Sequence, residues 1–304
     1  MLSISIPIYN FNVSNLVSKL DFEIKQKNLP VEIILIDDAS APEFKELNKT
    51  ICSHFTYIEL EQNIGRARIR NLFVKYAKYD YLLFLDCDSW MVQDDFIENY
   101  LKIIKTGKTP VVCGGNKYPD EKPARKFRLA WNYRHTKQSK NAFQRNLLPN
   151  HSFMTNNFVI NKIVLLQIPF EERLFYYGHE DTLMGFQLLE NNISIYNIDN
   201  EVIDTDLQLN SIYLTKTEMA VKNLLQILQW VEDKKTFSNS VRLLRFYERL
   251  SHFPIFKSLF RCFFWIKRPV IKWWLTTGYG SLWLLNVYKL GILMEEIETP
   301  TVSS

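Results

Sequence analysis

Glycine and proline are scarce in this chain, at 9 and 11 of 304 residues. With 47% hydrophobic and 23% charged side chains, the composition is that of a folded protein with disorder confined to its ends. Cysteine is scarcer still. Cys52, Cys87, Cys113 and Cys262 lie far apart and form no Cys-x-x-Cys pair, which argues against a zinc site and a disulfide framework and fits a reducing compartment. No stretch reaches the roughly 18 uninterrupted apolar residues that a spanning helix requires, although lying on a membrane stays open. The opening MLSISIPIYN lacks the basic region, apolar stretch and small-residue cleavage site of a secretory signal. It reads as an immediate strand, and a cytoplasmic protein is expected.

What is present is unevenly spread. Between Val241 and Leu290 nine basic residues stand against Glu248 alone, while the remainder of the chain has more acidic than basic side chains. A mildly acidic body with a basic, aromatic tail is a two-part object. In the body, apolar runs at Ile4 to Ile8, Val31 to Ile36, Thr56 to Leu60 and Tyr81 to Leu85 alternate with helical periodicity at Val13 to Gln26 and Arg66 to Tyr76. That alternation predicts an α/β fold, a mostly parallel sheet flanked by helices, with ligands beyond the carboxyl ends of the strands. Residues Lys108 to Asn150 read as a loop-rich insertion, the chain from about Thr215 onward as helical, and the closing EEIETPTVSS as a frayed tail.

Each early strand is followed by polar groups. Pro7, Tyr9 and Asn10 follow the first, Asp37 and Asp38 the second, Asn63, Gly65 and Arg66 the third, and Asp86 and Asp88 the fourth. Asp86 and Asp88 sit on one side of an extended chain, where each raises the cost of ionising the other. Three readings of that pair stand: a solvated strand end, a phosphatase-type nucleophile, and a divalent cation held jointly by carboxylates and a substrate diphosphate. The glycine and threonine that usually follow a phosphatase aspartate are absent, with Ser89 and Trp90 in their place. Asp37 and Asp38 are similarly ambiguous between hydrogen-bonding a base or ribose and capping a helix.

Taken in order and spacing, SISIPIYN, VEIILIDDAS, NIGRARIRN and FLDCDS resemble the family 2 glycosyltransferases of GT-A, Rossmann-like fold, in their bacterial surface-glycan branch. The resemblance implies a further acidic pair about 90 residues on, in a Gly-x-Glu-Asp context opening a helix. YYGHEDTLMGFQLLEN supplies it as Gly178, Glu180 and Asp181. By the same resemblance, which covers residues 1–215, that part forms a nucleotide-sugar-binding and catalytic domain; residues 216–304, outside it, read from their own pattern as a helical region that lies on a membrane or packs on protein. Asp181, paired with Glu180, is expected as the base that deprotonates the acceptor hydroxyl. Asp88, Asp86 and Asp204 are expected at Mn²⁺ or Mg²⁺, with Asp204 standing where related chains often carry a histidine. Pro7, Tyr9, Asn10, Asp37, Asp38, Asn63, Gly65, Arg66, Arg70 and Asp86 are expected around the nucleotide-sugar. Donor choice is assigned to Gly114 to Tyr118 and to Asn156 and Asn157.

The implied activity is metal-dependent, inverting sugar transfer from a nucleotide donor, expected to be UDP-linked, to a glycan or lipid-linked acceptor in surface-polysaccharide assembly. The alternatives are a non-catalytic nucleotide-sugar-binding subunit and, more distantly, a nucleotidyltransferase, which gives the Gly-x-Glu-Asp helix no role. In the tail, Phe263, Phe264, Trp265, Trp273, Trp274 and Trp283 are interspersed with Lys and Arg. That mixture suits an anionic lipid surface, which would put the protein peripherally at the inner face of the cell membrane, or a helical pair packing on protein. Nucleic acid is not the expected partner, because the aromatics outnumber the cations and lie in apolar runs. Oligomeric state is not encoded in any of these features.

Overall fold

The structure is a computed structural model that describes residues 1–174, 177–204 and 208–298. The expectation of a frayed tail falls largely on residues 299–304, outside that set. The chain forms two compact units. The first comprises Met1–Pro119, Gln138–Arg173 and Glu180–Asp206, and the second Asp120–Lys137, Leu174–His179 and Leu207–Ser304.

In the first unit the strands are β1 (Leu2–Ile8), β2 (Val31–Asp37), β3 (Thr56–Glu59), β4 (Tyr81–Leu85), β5 (Ser89–Met91), β6 (Val111–Cys113), β7 (Asn116–Lys117), β8 (Asn157–Asn161), β9 (Tyr196–Asn197) and β10 (Val202–Asp204). Seven of them form one sheet in the order β3-β2-β1-β4-β8-β6-β9, and β5-β10-β7 form a second. Strands β3, β2, β1 and β4 are mutually parallel, whereas β8 runs antiparallel to both β4 and β6. The four apolar runs of the sequence become these four parallel strands. The chain steps outward from β1 to β3 and then returns to the other side of β1 for β4. The crevice between the carboxyl ends of β1 and β4 is therefore a topological switch point, where sheets of this kind bind ligands.

Helices α1 (Ser14–Lys27), α2 (Pro42–Ile51), α3 (Arg66–Tyr76) and α4 (Phe96–Ile104) connect these strands. Alternation along each strand feeds two cores. Leu2, Ile4, Ile6 and Ile8 of β1, with Leu83 and Leu85 of β4, pack with Leu16, Val17 and Leu20 of α1 and Ile97 and Leu101 of α4. Ile34 and Ile36 of β2, with Leu82 and Phe84 of β4, pack with Ile69 and Phe73 of α3 and Phe158 of β8. Buried Ser3 and Ser5 occupy the intervening positions of β1, and these small side chains admit α3 close to the strand. Truncating a buried Leu or Ile to Ala in such a core typically costs about 2–5 kcal/mol.

The stretch expected to be loop-rich carries β6, β7, α5 (Arg128–Tyr133) and α6 (Ala142–Asn146), followed by α7 (Lys162–Gln167) and α8 (Glu180–Glu190) beyond β8. Arg145 of α6 is fully buried and organises that region. Its guanidinium donates to the carbonyls of Cys113, Gly114 and Ile198 and to Asn197 Oδ1, at 2.6–3.1 Å. Gly115, at φ +86°, lies against it, and a Cβ there would come within 2.5 Å of Nη2.

The second unit is helical: α5 together with α9 (Asn210–Trp230), α10 (Lys234–Ser240), α11 (Arg242–Ser251), α12 (Pro254–Thr277) and α13 (Leu282–Glu298). Phe264 of α12 packs edge-to-face on Tyr288 of α13, with ring centroids 5.8 Å apart. Gly291 lets the ring of Phe264 approach α13, and α12 ends at Gly278 in the left-handed region. No helix among the described residues is long and apolar enough to cross a membrane.

Candidate functional site

The carboxyl rim of the parallel strands collects the polar groups singled out in the sequence, but it uses them unequally. Asn10 adopts φ +49° at the end of β1. Its backbone N–H donates to Ser40 Oγ (2.9 Å), and its Oδ1 accepts from the N–H of Ala41 (2.8 Å), which ties the turns after β1 and β2 together. Tyr9 beside it is exposed. Asp37 is fully buried, with Oδ1 accepting from the Ser40 N–H at 2.7 Å and Oδ2 from the Tyr57 hydroxyl at 3.4 Å.

Asp38 accepts the N–H groups of Ile64 (2.7 Å) and Gly65 (3.1 Å), while its carbonyl accepts from Asn63 Nδ2 (3.2 Å). Burial pushes its carboxyl upward against those hydrogen bonds. Asp38 thus clamps the segment that leads into α3. Gly65 caps that helix at φ +83°, a conformation L side chains rarely adopt, and the space beside it is open.

From α3 three arginines diverge. Arg66 is largely exposed and lies 3.7 Å from Glu180 Oε1, and Arg68 pairs with Glu172 at 3.6 Å. Arg70, only 2% exposed, donates from Nη2 to Asp86 Oδ1 at 3.1 Å, with its guanidinium carbon 5.5 Å from the centre of the Phe170 ring. Its Nε and Nη1 are buried without hydrogen-bond partners. A buried guanidinium with two unsatisfied donor atoms has hydrogen-bonding capacity of the kind that anionic oxygens take. Asn71 holds Phe170 in place through both its backbone carbonyl and its N–H.

After β4 the backbone turns, with the N–H of Ser89 bonded to the Asp86 carbonyl at 3.1 Å. Cys87 lies inside this turn. Burial, with the neighbouring Asp88 and Asp86 charges, pushes its thiol up to about 12, so it is no nucleophile at neutral pH. The N–H of Asp86 donates to the Asn156 carbonyl, and Asn156 Oδ1 nearby is buried with no partner. Asn157 spends its side chain on protein partners. It is fully buried, accepting from the Tyr100 hydroxyl at 2.6 Å and donating to the carbonyls of Gly115 and Asn200.

Asp204 closes β10 in antiparallel register opposite Ser89, so it ends on the strand next to the Asp86–Asp88 turn. Asp86, Asp88 and Asp204 all offer hard carboxylate oxygens, the donor type that Mg²⁺ and Mn²⁺ take. Among the described residues no three His, Cys, Asp or Glu side chains converge into a cage. The donor chemistry fits a cation that takes its remaining oxygens from a diphosphate and water, as Mg²⁺ commonly does.

At the start of α8 the chain places Glu180 and Asp181 in the first turn, where acidic side chains suit the helix dipole. Asp181 Oδ1 accepts the Thr182 N–H at 2.7 Å and its hydroxyl at 3.3 Å. Burial first, and then the Glu180 charge, push its carboxyl up to about 6. The Thr182 hydrogen bonds and the Arg70 charge pull the other way. A carboxylate poised near working pH is what a general base requires.

Thr182, Phe170 and Arg70's unsatisfied donors complete this picture. Thr182 and Phe170 carry no chemistry of their own and could be found only from the fold.

The chain matches the model described as glycosyl transferase family 2 over residues 3–165, more than half of its length. Poly-beta-1,6-N-acetyl-D-glucosamine synthase of Staphylococcus aureus (strain COL) is 37% identical over 81 residues, 25% of this chain and 20% of that protein. Glycosyltransferase GlyA of Streptococcus pneumoniae serotype 4 is 31% identical over 112 residues, 34% of this chain and 15% of that protein. The chain therefore spans about a fifth or less of the length of these curated relatives. Among solved structures, the mannosyltransferase PcManGT from Pyrobaculum calidifontis, in complex with GDP-Man and Mn²⁺, aligns with a TM-score of 0.57 at 12% identity, covering 97% of this chain and 88% of that one. TarS of S. aureus aligns with a TM-score of 0.53 at 17% identity, covering 82% and 43%. These likenesses establish the GT-A fold. With the switch-point crevice and the family match together, the chain belongs to glycosyl transferase family 2.

Proposed function

We propose that this protein is a metal-dependent inverting glycosyltransferase of hexosyl type, moving a sugar from a nucleotide donor, UDP-linked by preference, to a hydroxyl of a glycan or lipid-linked acceptor in surface-polysaccharide assembly. The observation that carries the reading is Asp181, a carboxyl pushed up to about 6 on the first turn of α8, within the electrostatic reach of Arg70. In the transfer, the acceptor oxygen forms a bond to the sugar C1 as the bond from C1 to the diphosphate oxygen breaks. Asp181 takes the acceptor proton, and a single displacement inverts C1. Arg70, with two unsatisfied buried donor atoms, is suited to the diphosphate, and Arg66 at the mouth of α3 to its outer oxygens. Tyr9, Asn10 and the clamp built by Asp37, Asp38, Asn63 and Gly65 shape the nucleoside side. Pro7, near the end of β1, brings them to the rim.

Asp86, Asp88 and Asp204 would hold Mn²⁺ or Mg²⁺, which when bound neutralises charge on the departing diphosphate. Relatives of the fold are compatible with such a cation, since PcManGT was solved with Mn²⁺ and glucosyl-3-phosphoglycerate synthase from Mycobacterium tuberculosis with Mg²⁺ and UDP. An acceptor carried on lipid suits a protein working peripherally at the inner face of the cell membrane. A second reading, a nucleotide-sugar-binding subunit without turnover, draws on Asp204 standing where the family resemblance expects histidine.

Release of nucleoside diphosphate from a panel of nucleotide sugars, with Mn²⁺ or Mg²⁺ and membrane extract as acceptor source, tests the proposal. Turnover of one donor that needs metal and disappears in Asp181→Asn and Asp88→Ala supports it. Retained nucleotide binding with no turnover on any donor favours the second reading.

A further inference from the structure

Helix α12 is amphipathic in the wrong sense for a surface helix. Phe264, Ile271 and Leu275 face inward and are buried. The opposite face is apolar as well: Ile255, Leu259, Ile266, Val270 and Trp273 recur at helical spacing, each more than half exposed, and Phe256 and Phe263 widen the stripe. From Ile255 to Trp273 this face runs about 27 Å at ~1.5 Å per residue. A continuous apolar face of this length on a soluble surface marks a binding site.

The charges around it name the occupant. Arg261, Arg268 and Lys272 of α12 are paired with Glu298, Glu295 and Glu218. Lys267 of α12, and Arg242, Arg245 and Arg249 along one face of the adjoining α11, have no carboxylate at ion-pairing distance among the described residues. A second copy of the chain seated face to face would bring these cations against their own counterparts. An anionic bilayer surface satisfies both features, taking the apolar stripe at the acyl boundary and the cations at the headgroups. Crossing is not at issue, since no helix among the described residues is long and apolar enough.

We infer that the outward face of α12, with Lys267 and the arginines of α11, seats the protein in the plane of an anionic lipid surface. The inference deepens the peripheral-membrane part of the reading above and rests on none of its chemistry.

The test is co-sedimentation of the full chain with phosphatidylcholine vesicles, with and without phosphatidylglycerol, alongside tryptophan emission. The expected result is binding to the anionic vesicles at least tenfold tighter than to neutral ones, weakened by salt, with a blue shift of the emission. Ile266→Ser with Trp273→Ser should reduce binding at least tenfold, because both apolar side chains would leave water on docking. Arg245→Glu with Lys267→Glu should abolish the preference for anionic lipid. All four positions are exposed, so unchanged melting would certify the variants as folded.

Equal binding to both vesicle types, wild-type binding by the serine variant, or a concentration-dependent dimer that ignores vesicles would each overturn the inference. Because no transfer is measured, a chain that binds vesicles but turns over no donor upholds this inference while sinking the transferase.

Discussion

Arg70 Nη2 donates to Asp86 Oδ1 over 3.1 Å, while Nε and Nη1 of the same buried guanidinium have no hydrogen-bond partner. The side chain is thus held from one corner with most of its donor capacity unspent. An interior group left this way detracts from stability in the free protein and gains when an anion arrives.

Arg70→Met should therefore separate function from folding. Methionine fills much of the same volume without burying a charge, and Asp86 retains solvent access, so the melting midpoint should move by no more than the equivalent of about 1 kcal/mol in either direction. Loss of charge-assisted hydrogen bonds of about 1.5–3 kcal/mol should weaken nucleoside diphosphate binding by roughly ten- to hundredfold. Calorimetric titration beside a thermal melt reads both quantities. Equal losses in the two would mean that Arg70 is a structural brace and no anion receptor.

Asp181 links rate and stability to pH in opposite directions. Its carboxyl is raised in the folded protein to about 6, from an ordinary value of 3.8. Between those values the native state holds a proton that the unfolded chain has released, so stability falls as pH rises through that window and the full penalty applies above about 6. Asp181→Asn should accordingly raise neutral-pH stability by up to about 3 kcal/mol and leave stability near pH 3 unchanged. Turnover by the wild type should rise with pH to a plateau above about 6, and the variant should lack that limb. Since the Arg70 charge pulls the Asp181 carboxyl down, Arg70→Met should move the residual limb to higher pH.

How much of this was legible follows from the length of each signal. The apolar runs at Ile4 to Ile8, Val31 to Ile36, Thr56 to Leu60 and Tyr81 to Leu85 correspond to β1–β4 within about two residues, and the periodicity at Arg66 to Tyr76 is α3. Such segments carry four or more residues of one period. Strands of two or three residues, such as β6, β7, β9 and β10, carry no period at all, and the sequence offered only loops for the first two. Residues 120–137 gave no hint that they fold with the C-terminal helices, because that association depends on tertiary packing. At the site, residue types were readable but side-chain direction was not. The hydrogen bonds of Asp37 go to Ser40 and Tyr57 and those of Asn157 to Tyr100, Gly115 and Asn200, and all of these partners but Ser40 lie far enough along the chain that no local pattern names them. The aromatic tail was evident from composition, yet which face of α12 stays uncovered depends on what α13 buries.

The Asp38 clamp makes a prediction about selectivity. Its carboxylate receives the N–H groups of Ile64 and Gly65, so Asp38→Ala should loosen the entry to α3 and cost about 1–2 kcal/mol in the absence of any ligand. Affinity should then fall to a similar degree for uridine, guanosine and adenosine diphosphates. A loss confined to uridine would instead assign the carboxylate to the base. Gly65→Ala should phenocopy the change through backbone conformation alone, at about 1–3 kcal/mol, because open space surrounds its missing Cβ.

Gly291 offers the corresponding test in the helical unit. A Cβ at this position would come within 2.3 Å of ring carbons of Phe264, which is itself buried, stacked on Phe260 and edge-to-face with Tyr288. An aromatic ring so enclosed cannot yield by a rotamer change, so Gly291→Ala should destabilise this unit by about 1–3 kcal/mol. Trp131, Trp230, Trp265, Trp273, Trp274 and Trp283 belong to this unit and only Trp90 to the other, so tryptophan fluorescence reports its unfolding selectively. The midpoint in urea should drop for Gly291→Ala, while nucleotide binding by the α/β unit persists at low denaturant. Phe264→Leu removes ring atoms at the point of conflict, and in the double variant it should recover part of the loss. A double variant worse than the sum of the single changes would mean that Phe264 supports α13 by some means other than its contact with Gly291.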